Sequence, residues 1–315
     1  MLAHQRFLFL FLTVYLVGCS AAPFQYKSLD TDAWTAVELS ETPFYPQEDY
    51  QCGPAALATV LQVAGVADAT PESLVSQVYL PDREGSLQAE LLAATRRADR
   101  IPFVIPRRMD ALFAEVAAGY PVLVLQNLGL ERWPIWHYAV VIGFEPGKQQ
   151  LILRSGTTER EVVSLRAFER SWRLGNYWAM VVPPIGFMPE SVPSLHYFEA
   201  VAAVEQQGRL LLASMAYAAG TERWPEDATG YMGLGSIAYQ QHDYANAEAY
   251  FYRATELSPL QPAGFFNLAW SLLRQERDIE ALAAAQVAQE LAPEHPRYGQ
   301  AVVLIRQASA ENQVN

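Results

Sequence analysis

The sequence predicts an α+β domain followed by an all-α region of repeated helical hairpins. Three observations lead to this prediction. Between residues 36 and 185, helix signals come first and strand signals follow, which favours α+β over a doubly wound sheet. The segment VPPIGFMPESVP (182–193) holds four prolines in twelve residues and is typical of a linker. Beyond it the pattern is helical only, and Pro225, Pro259 and Pro293 recur at a spacing of 34 residues.

The first part of the domain carries four helix signals. AALATVLQVAG (55–65) is an apolar helical run that stops at Gly65. Thr70 and Pro71 provide a cap and a first-turn proline for a second helix. SLQAELLAATRRA (86–98) and MDALFAEVAAG (109–119) predict two more helices.

Five strand-like runs follow, rich in branched and aromatic residues and bounded by Gly, Pro and Asn. They are YPVLVLQN (120–127), HYAVVIGFE (137–145), QQLILRSG (149–156), EVVSL (161–165) and NYWAMVV (176–182). The sequence FEPGK (144–148) between two of the runs predicts a hairpin turn.

The C-terminal period is supported by two further sets of residues in register. Tyr197, Tyr231 and Phe265 form one set, and Ala213, Ala247 and Ala281 form the other. This pattern resembles the tetratricopeptide repeat (TPR), a helix–turn–helix unit. The resemblance covers 194–315: a weaker copy at 194–227 with Gly220 where alanine is expected, copies at 228–261 and 262–295, and a capping helix. It implies a concave surface that binds a protein or peptide partner, and a plain helical bundle is the alternative.

The N-terminus predicts export. FLFLFLTVYLV (7–17) is too short to span a bilayer and has the size of a signal-peptide core. The residues that follow, Leu16-Val17-Gly18-Cys19, resemble the lipobox of bacterial lipoproteins. The resemblance implies a signal peptide at 1–18, a lipid on Cys19, a tether over 19–35 and, because Ser20 follows, an outer-membrane anchor facing the periplasm. An ordinary signal or an uncleaved anchor is the alternative.

Charge and cysteine content argue against several kinds of binding site. The formal net charge of −12 argues against nucleic-acid binding. The chain has two cysteines, so a lipidated Cys19 would leave Cys52 without a disulfide partner. Too few His and Cys ligands stand near Cys52 for a metal site, and no cofactor is predicted.

Cys52 stands at the start of the first predicted helix, and His137 is the one histidine of the five that falls in the α+β domain. A cysteine nucleophile needs a base, so His137 is the candidate. The helix dipole and a nearby imidazolium would lower the thiol pKa. Gln47 is placed to donate to an oxyanion together with the Cys52 amide. A buried packing cysteine and a structural histidine are the alternatives.

Gln47, Cys52-Gly53-Pro54, the alanine-rich helix and the strand that begins at His137 resemble the bacteriocin-processing, double-glycine-leader peptidases of the papain superfamily, over about residues 40–183. The resemblance implies a papain-like fold, with Cys52 as nucleophile, His137 as general base and acid, and Gln47 in the oxyanion hole. The family places Asp or Asn on the next strand to orient the histidine.

Ser155 aligns with that orienting position, between Arg154 and Gly156. Serine accepts a hydrogen bond but stabilises imidazolium less than a carboxylate does. Glu159 and Glu161 are nearby acidic alternatives.

The expected function is an envelope-anchored cysteine peptidase whose repeats recruit a substrate or partner. A catalytically silent binding domain and a thiol acyltransferase or amidase are the alternatives. Trp133 and Trp136, just before His137, are expected mainly to pack, with a role at the rim of a substrate cleft as the alternative.

Overall fold

A computed structural model describes residues 24–46 and 51–312. The signal segment, Cys19 and Gln47 therefore lie outside the described residues. Within them, a sheet with helices on both faces is followed by seven helices. No helix in this part of the chain is long and apolar enough to cross a membrane.

The central sheet has seven strands in the order β4-β9-β5-β6-β7-β8, and β1 pairs with the far end of β6. Each of these pairings is antiparallel. The strands are β1 Val37–Glu38, β4 Phe103–Val104, β5 Val122–Asn127, β6 Trp136–Glu145, β7 Gln150–Ser155, β8 Thr158–Ser164 and β9 Ala179–Val181. A separate hairpin joins β2 Tyr79–Leu80 to β3 Gly85–Ser86.

Side-chain alternation divides the sheet between two cores. On β5, Leu123 and Leu125 belong to the core under the first three helices, whereas Val122 and Val124 belong to the core on the other face. The first group of helices is α1 Cys52–Val63, α2 Pro71–Val78 and α3 Gln88–Arg97. The opposite face is covered by α4 Met109–Ala117 and α5 Leu165–Leu174.

The four predicted helices and five predicted strands of this domain are confirmed, as is the turn after β6. Sequence analysis missed α5, which begins after Ser164, whose side chain accepts a hydrogen bond from the amide of Ala167. It also missed β1 to β4, each of which has two residues and is too short to show a period.

The described part of the predicted tether packs against the domain. The amides of Gln25 and Tyr26 donate to the buried carboxylate of Glu169, at 2.6 and 2.8 Å. Trp34 packs edge-on against Phe113, with ring centroids 5.6 Å apart. Residues 24–35 therefore belong to the folded domain, because a buried carboxylate and an aromatic cluster hold them there.

The C-terminal region follows the predicted period. Its helices are α6 Ser194–Glu205, α7 Leu210–Arg223, α8 Ala228–Gln240, α9 Tyr244–Leu257, α10 Pro262–Leu273, α11 Asp278–Leu291 and α12 Pro296–Asn312. The first helices of successive pairs and α12 start at residues 194, 228, 262 and 296, a constant interval of 34 residues. Gly220 interrupts the alanine pattern because a Cβ there would lie 2.5 Å from the Phe198 ring.

The repeat region is joined to the sheet domain by a shared core. Phe103 on β4 stacks against Tyr197 on α6, with ring centroids 5.1 Å apart. The buried Glu115 of α4 accepts hydrogen bonds from the amides of Glu190 and Ser191 in the proline-rich linker. These hydrogen bonds hold the C-terminal end of the linker against α4 of the sheet domain.

Candidate active site

Cys52 is the first residue of α1, and the helix behind it is buried along its length from Gly53 to Leu61. Gly53 is required by packing, since a Cβ at this position would lie 2.2 Å from the hydroxyl oxygen of Ser86 on β3. A small residue after the cysteine therefore lets the β2–β3 hairpin approach the start of the helix. Cys52 itself is half-buried at the start of the helix.

His137 is the second residue of β6 and pairs with Gln126 of β5. Its Nε2 atom lies 3.0 Å from the hydroxyl oxygen of Ser155, the last residue of β7. The structure thus brings together two of the predicted site residues. This contact occupies Nε2 and leaves Nδ1 as the ring nitrogen that can serve a thiol.

Cys52 and His137 line one cavity of about 910 Å³. Trp136, Tyr138 and Gly156 also contribute to its wall. No hydrogen bond joins Cys52 to His137, although both residues are described. The two groups therefore share a site without forming a thiolate–imidazolium pair in this structure.

The electrostatic environment favours neutral forms of both groups. Burial raises the pKa of the Cys52 thiol, and hydrogen bonds from the amides of Tyr138, Gly53 and Cys52 offset this only in part. Burial also lowers the pKa of His137, against the opposing charge of Glu161. The expectation of a lowered thiol pKa is therefore wrong for this structure, because desolvation outweighs the helix-terminal amides.

Arg154, which sequence analysis treated only as a neighbour of Ser155, connects the strand to the chain before the cysteine. Its buried guanidinium donates to the carbonyls of Thr42 and Ser40, at 2.9 to 3.1 Å, and to that of Glu159. It thereby holds the segment that leads toward Gln47 against the sheet. A charged residue in an otherwise apolar strand was the signal in the sequence.

Two further residues at the site had no sequence signal. The Tyr138 hydroxyl donates to the Ser86 carbonyl at 3.2 Å, and Tyr138 faces the α1 side of the sheet. The Ser86 hydroxyl is buried and has no hydrogen-bond partner. Ser86 lies 34 residues after Cys52 and comes to it only through the fold.

The two tryptophans before His137 do not pack. Trp133 is 71% exposed and Trp136 is 54% exposed, so the expectation that they mainly pack is wrong. Trp136 instead lines the cavity that contains Cys52. Trp133 lies in the connection between β5 and β6, and Trp136 is the first residue of β6.

Glu161 lies on β8 opposite Leu153, and Glu161 and Ser155 line a second cavity of about 280 Å³. Glu159, the other acidic alternative, contributes its backbone carbonyl to Arg154. The described residues contain no group of three or more His, Cys, Asp or Glu side chains that could hold a metal ion.

Comparison with known proteins finds one similarity to a peptidase family and another to a TPR repeat-containing protein. Residues 39–180 match the model of the Peptidase_C39 like family. A TPR repeat-containing protein of Picosynechococcus is 39% identical over 67 residues, which cover 21% of this chain and 17% of that relative.

Two solved structures are similar in part. A C39-like peptidase from Bacillus anthracis is 19% identical, with 47% of this chain and 98% of that chain covered and a TM-score of 0.40. The first TPR domain of Spaghetti (RPAP3), bound to an HSP90 peptide, is 20% identical, with 37% and 93% covered and a TM-score of 0.36.

The family match, the sheet topology and the 34-residue helix period agree with the resemblances found in the sequence. Residues 39–180 therefore match the Peptidase_C39 like family model, and the helices that follow have the 34-residue period typical of TPR proteins.

Proposed function

We propose that the sheet domain is a cysteine peptidase with Cys52 as nucleophile and His137 as general base and acid. The observation that carries the proposal is the shared cavity, which is lined by a thiol at a helix start and an imidazole near a strand start. Two residues of these types in one solvent-connected cleft supply the minimum set for acyl transfer through a thioester.

The mechanism starts from two neutral groups. The mechanism uses the tautomer with the proton on Nε2, which donates to the Ser155 hydroxyl oxygen 3.0 Å away and leaves a lone pair on Nδ1. As Sγ of Cys52 attacks the peptide carbonyl carbon, Nδ1 takes the thiol proton. This concerted transfer needs no preformed thiolate, which agrees with the raised pKa of Cys52 and the lowered pKa of His137.

The tetrahedral oxyanion would be stabilised by the Cys52 amide and by the side-chain amide of Gln47. Each donor of this kind lowers the activation barrier by about 3 kcal/mol where it has been measured. His137 then returns the proton to the departing amine as the C–N bond breaks, and a thioester remains on Cys52. Water, deprotonated by His137, attacks the thioester, and the thiol recovers its proton.

The test is cleavage of a proteome-derived peptide library, with new termini identified by mass spectrometry. The purified protein is expected to generate new termini, and Cys52→Ala and His137→Ala are expected to generate none. Cleavage by Cys52→Ala would exclude the proposed nucleophile.

A second candidate function, peptide binding without cleavage, is favoured by two observations. No hydrogen bond joins Cys52 to His137, and the position that would hold an orienting acid is Ser155. Under this function the library would remain intact, and peptides would be retained equally by the unaltered protein and by Cys52→Ala.

The repeat region would recruit a substrate or a protein partner, since stacked helix pairs form an extended surface. Leu260 and Ile279 are 80% and 85% exposed in this region and are available for such contact. Cross-linking in cells should trap a partner with the unaltered protein, and Leu260→Asp and Ile279→Asp should reduce its yield.

The lipobox resemblance at Leu16 to Cys19 supports lipid anchoring at the outer membrane, facing the periplasm. Labelling with a radioactive fatty acid should mark the protein and should be lost in Cys19→Ala. Density-gradient separation of the two membranes then tests the location, and a soluble mature protein would exclude the anchor.

A further inference from the structure

The connection between β5 and β6 exposes an unusual number of large apolar side chains. We define the apolar loop as residues 128–136, which are this connection and Trp136, the first residue of β6. Its five large apolar side chains are 54 to 71% exposed: Leu128, Leu130, Trp133, Ile135 and Trp136. Single exposed apolar residues are ordinary, but a cluster of this size within nine residues marks an interaction site.

The backbone of the apolar loop is held in place while its side chains remain in solvent. The buried Asn127 accepts hydrogen bonds from the amides of Gly129 and Ile135, at 3.0 and 2.9 Å, and donates to the carbonyl of Leu130. Leu130 and Trp133 exchange two backbone hydrogen bonds. The loop is therefore preorganised, which reduces the entropic cost of binding a ligand.

Gly129 supports this arrangement. A Cβ at this position would lie 2.4 Å from the carbonyl oxygen of Trp133, so the two sides of the loop meet at the glycine. The close approach turns the loop back on itself.

The apolar loop is continuous with the candidate active site. Pro134, Ile135 and Trp136 line the cavity that also holds Cys52 and His137. The β2–β3 hairpin contributes Arg83 and Glu84 to the same cavity. A peptide whose carbonyl lies at Cys52 would therefore occupy the same cleft as apolar side chains of the loop. The charged residues Arg83 and Glu84 of the hairpin line this cleft too.

We propose that the apolar loop binds large aliphatic or aromatic side chains of the peptide next to the bond that Cys52 attacks. The preferred substrate is thus an extended, apolar segment of the kind that a folded protein buries. This inference rests on the proposed peptidase function. Fully burying one such side chain raises the binding constant by roughly tenfold to hundredfold.

A peptide fits the apolar loop better than a lipid surface does. The loop shares its cavity with the nucleophile, which a role in lipid binding would not require. The chain also has a formal net charge of −12, which opposes approach to an anionic membrane.

The experiment compares two peptidyl acyloxymethyl ketones of equal length and charge, one with Leu and Phe and the other with Ser and Gln. The second-order rate constant for labelling Cys52 is measured by intact mass. We expect the apolar reagent to react roughly tenfold to hundredfold faster. Trp133→Ser/Ile135→Ser should reduce this ratio to about threefold or less, and Trp133→Ser alone should reduce it partly.

Leu304→Ser is the matched control, because Leu304 is 51% exposed and lies on α12, outside the sheet domain. It should leave the ratio unchanged. Melting temperatures confirm that each variant is folded, as expected for exposed positions. The preference of the unaltered protein is itself a test that needs no variant.

The outcomes separate this inference from the function on which it rests. Labelling of Cys52 by neither reagent would remove the peptidase proposal and the inference with it. Equal labelling by both reagents, lost in His137→Ala, would support the peptidase and overturn only the inference. A third outcome is that the double variant keeps the ratio of labelling rates of the unaltered protein and instead loses binding to anionic vesicles. That result would assign the apolar loop to a membrane surface and overturn the inference.

Discussion

Nε2 of His137 lies 3.0 Å from the hydroxyl oxygen of Ser155, across neighbouring strands β6 and β7. This contact engages one ring nitrogen, and the proposed mechanism assigns the other, Nδ1, to Cys52. Serine supplies a hydrogen-bond acceptor at this position without a negative charge. The orientation of the ring and the stabilisation of imidazolium are therefore separate properties in this protein.

Replacement of Ser155 separates those two properties. Ser155→Ala should reduce kcat/KM by about threefold to tenfold, the value of one hydrogen bond. Ser155→Asp should retain the orientation and raise the pKa of His137, which moves the acidic limb of the rate profile to higher pH. Steady-state kinetics across pH would measure both. Unchanged kinetics in both variants would show that the contact has no role in catalysis.

The pH dependence of kcat/KM should show a broad plateau. The acidic limb should lie below the ordinary histidine pKa of 6.5, because burial lowers the pKa of His137 and the neutral ring is the base. The alkaline limb should lie above the ordinary thiol value of 9.0, because burial raises the pKa of Cys52. An acidic limb near about 4 that reports thiolate formation would instead indicate a preformed ion pair.

A matched pair of variants on β8 tests the charge that acts on His137. Glu161 opposes the lowering of the His137 pKa, so Glu161→Gln should move the acidic limb further toward low pH. Glu159→Gln should leave the limb unchanged, because Glu159 contributes its backbone carbonyl rather than its side chain to the site. Equal shifts in both variants would point to a general charge effect.

Gln47 lies outside the described residues, and its role as oxyanion donor is tested by substitution. Gln47→Ala should reduce kcat by about a hundredfold to a thousandfold with little change in KM, since the interaction forms in the transition state. Gln51→Ala is the control, because Gln51 precedes α1 and its side chain forms no capping hydrogen bond. Similar losses in both variants would indicate a structural effect at the helix start.

Two helix glycines should respond to alanine with opposite signs. Gly220→Ala should reduce the free energy of unfolding by about 1–3 kcal/mol, because its Cβ would lie 2.5 Å from Phe198 and 3.0 Å from Tyr197. Gly299→Ala should increase it by up to about 1 kcal/mol, since its Cβ would meet only the flexible end of Gln289, at 3.4 Å. Denaturant titration measures both, and stabilisation by Gly220→Ala would contradict the packing.

The repeat region shows what periodicity in the sequence can predict. Helices α6, α8, α10 and α12 begin at the interval that Pro225, Pro259 and Pro293 indicate. Gly220 marks the weaker copy, and only the structure shows that an aromatic pair occupies the space of the missing methyl group.

At the candidate site, residue types, their order and the family resemblance indicated Cys52, His137 and Ser155; in the structure Cys52 and His137 line one cavity and Ser155 lies beside His137. The protonation states of Cys52 and His137 could not be predicted from the sequence, because desolvation depends on how closely the fold surrounds each group. The position of Ser86 near Cys52 and the exposure of Trp133 could not be predicted either. Both depend on where hairpins lie in three dimensions, which a sequence pattern does not show.

The most direct test of the central claim is the detection of an acyl-enzyme on Cys52. An activated peptide ester is mixed with the protein, the reaction is quenched in acid, and the tryptic peptide containing Cys52 is analysed by mass spectrometry. The account predicts a transient acyl adduct on Cys52 that forms at least about a hundredfold more slowly in His137→Ala. No adduct in the unaltered protein, or equal rates in His137→Ala, would contradict it.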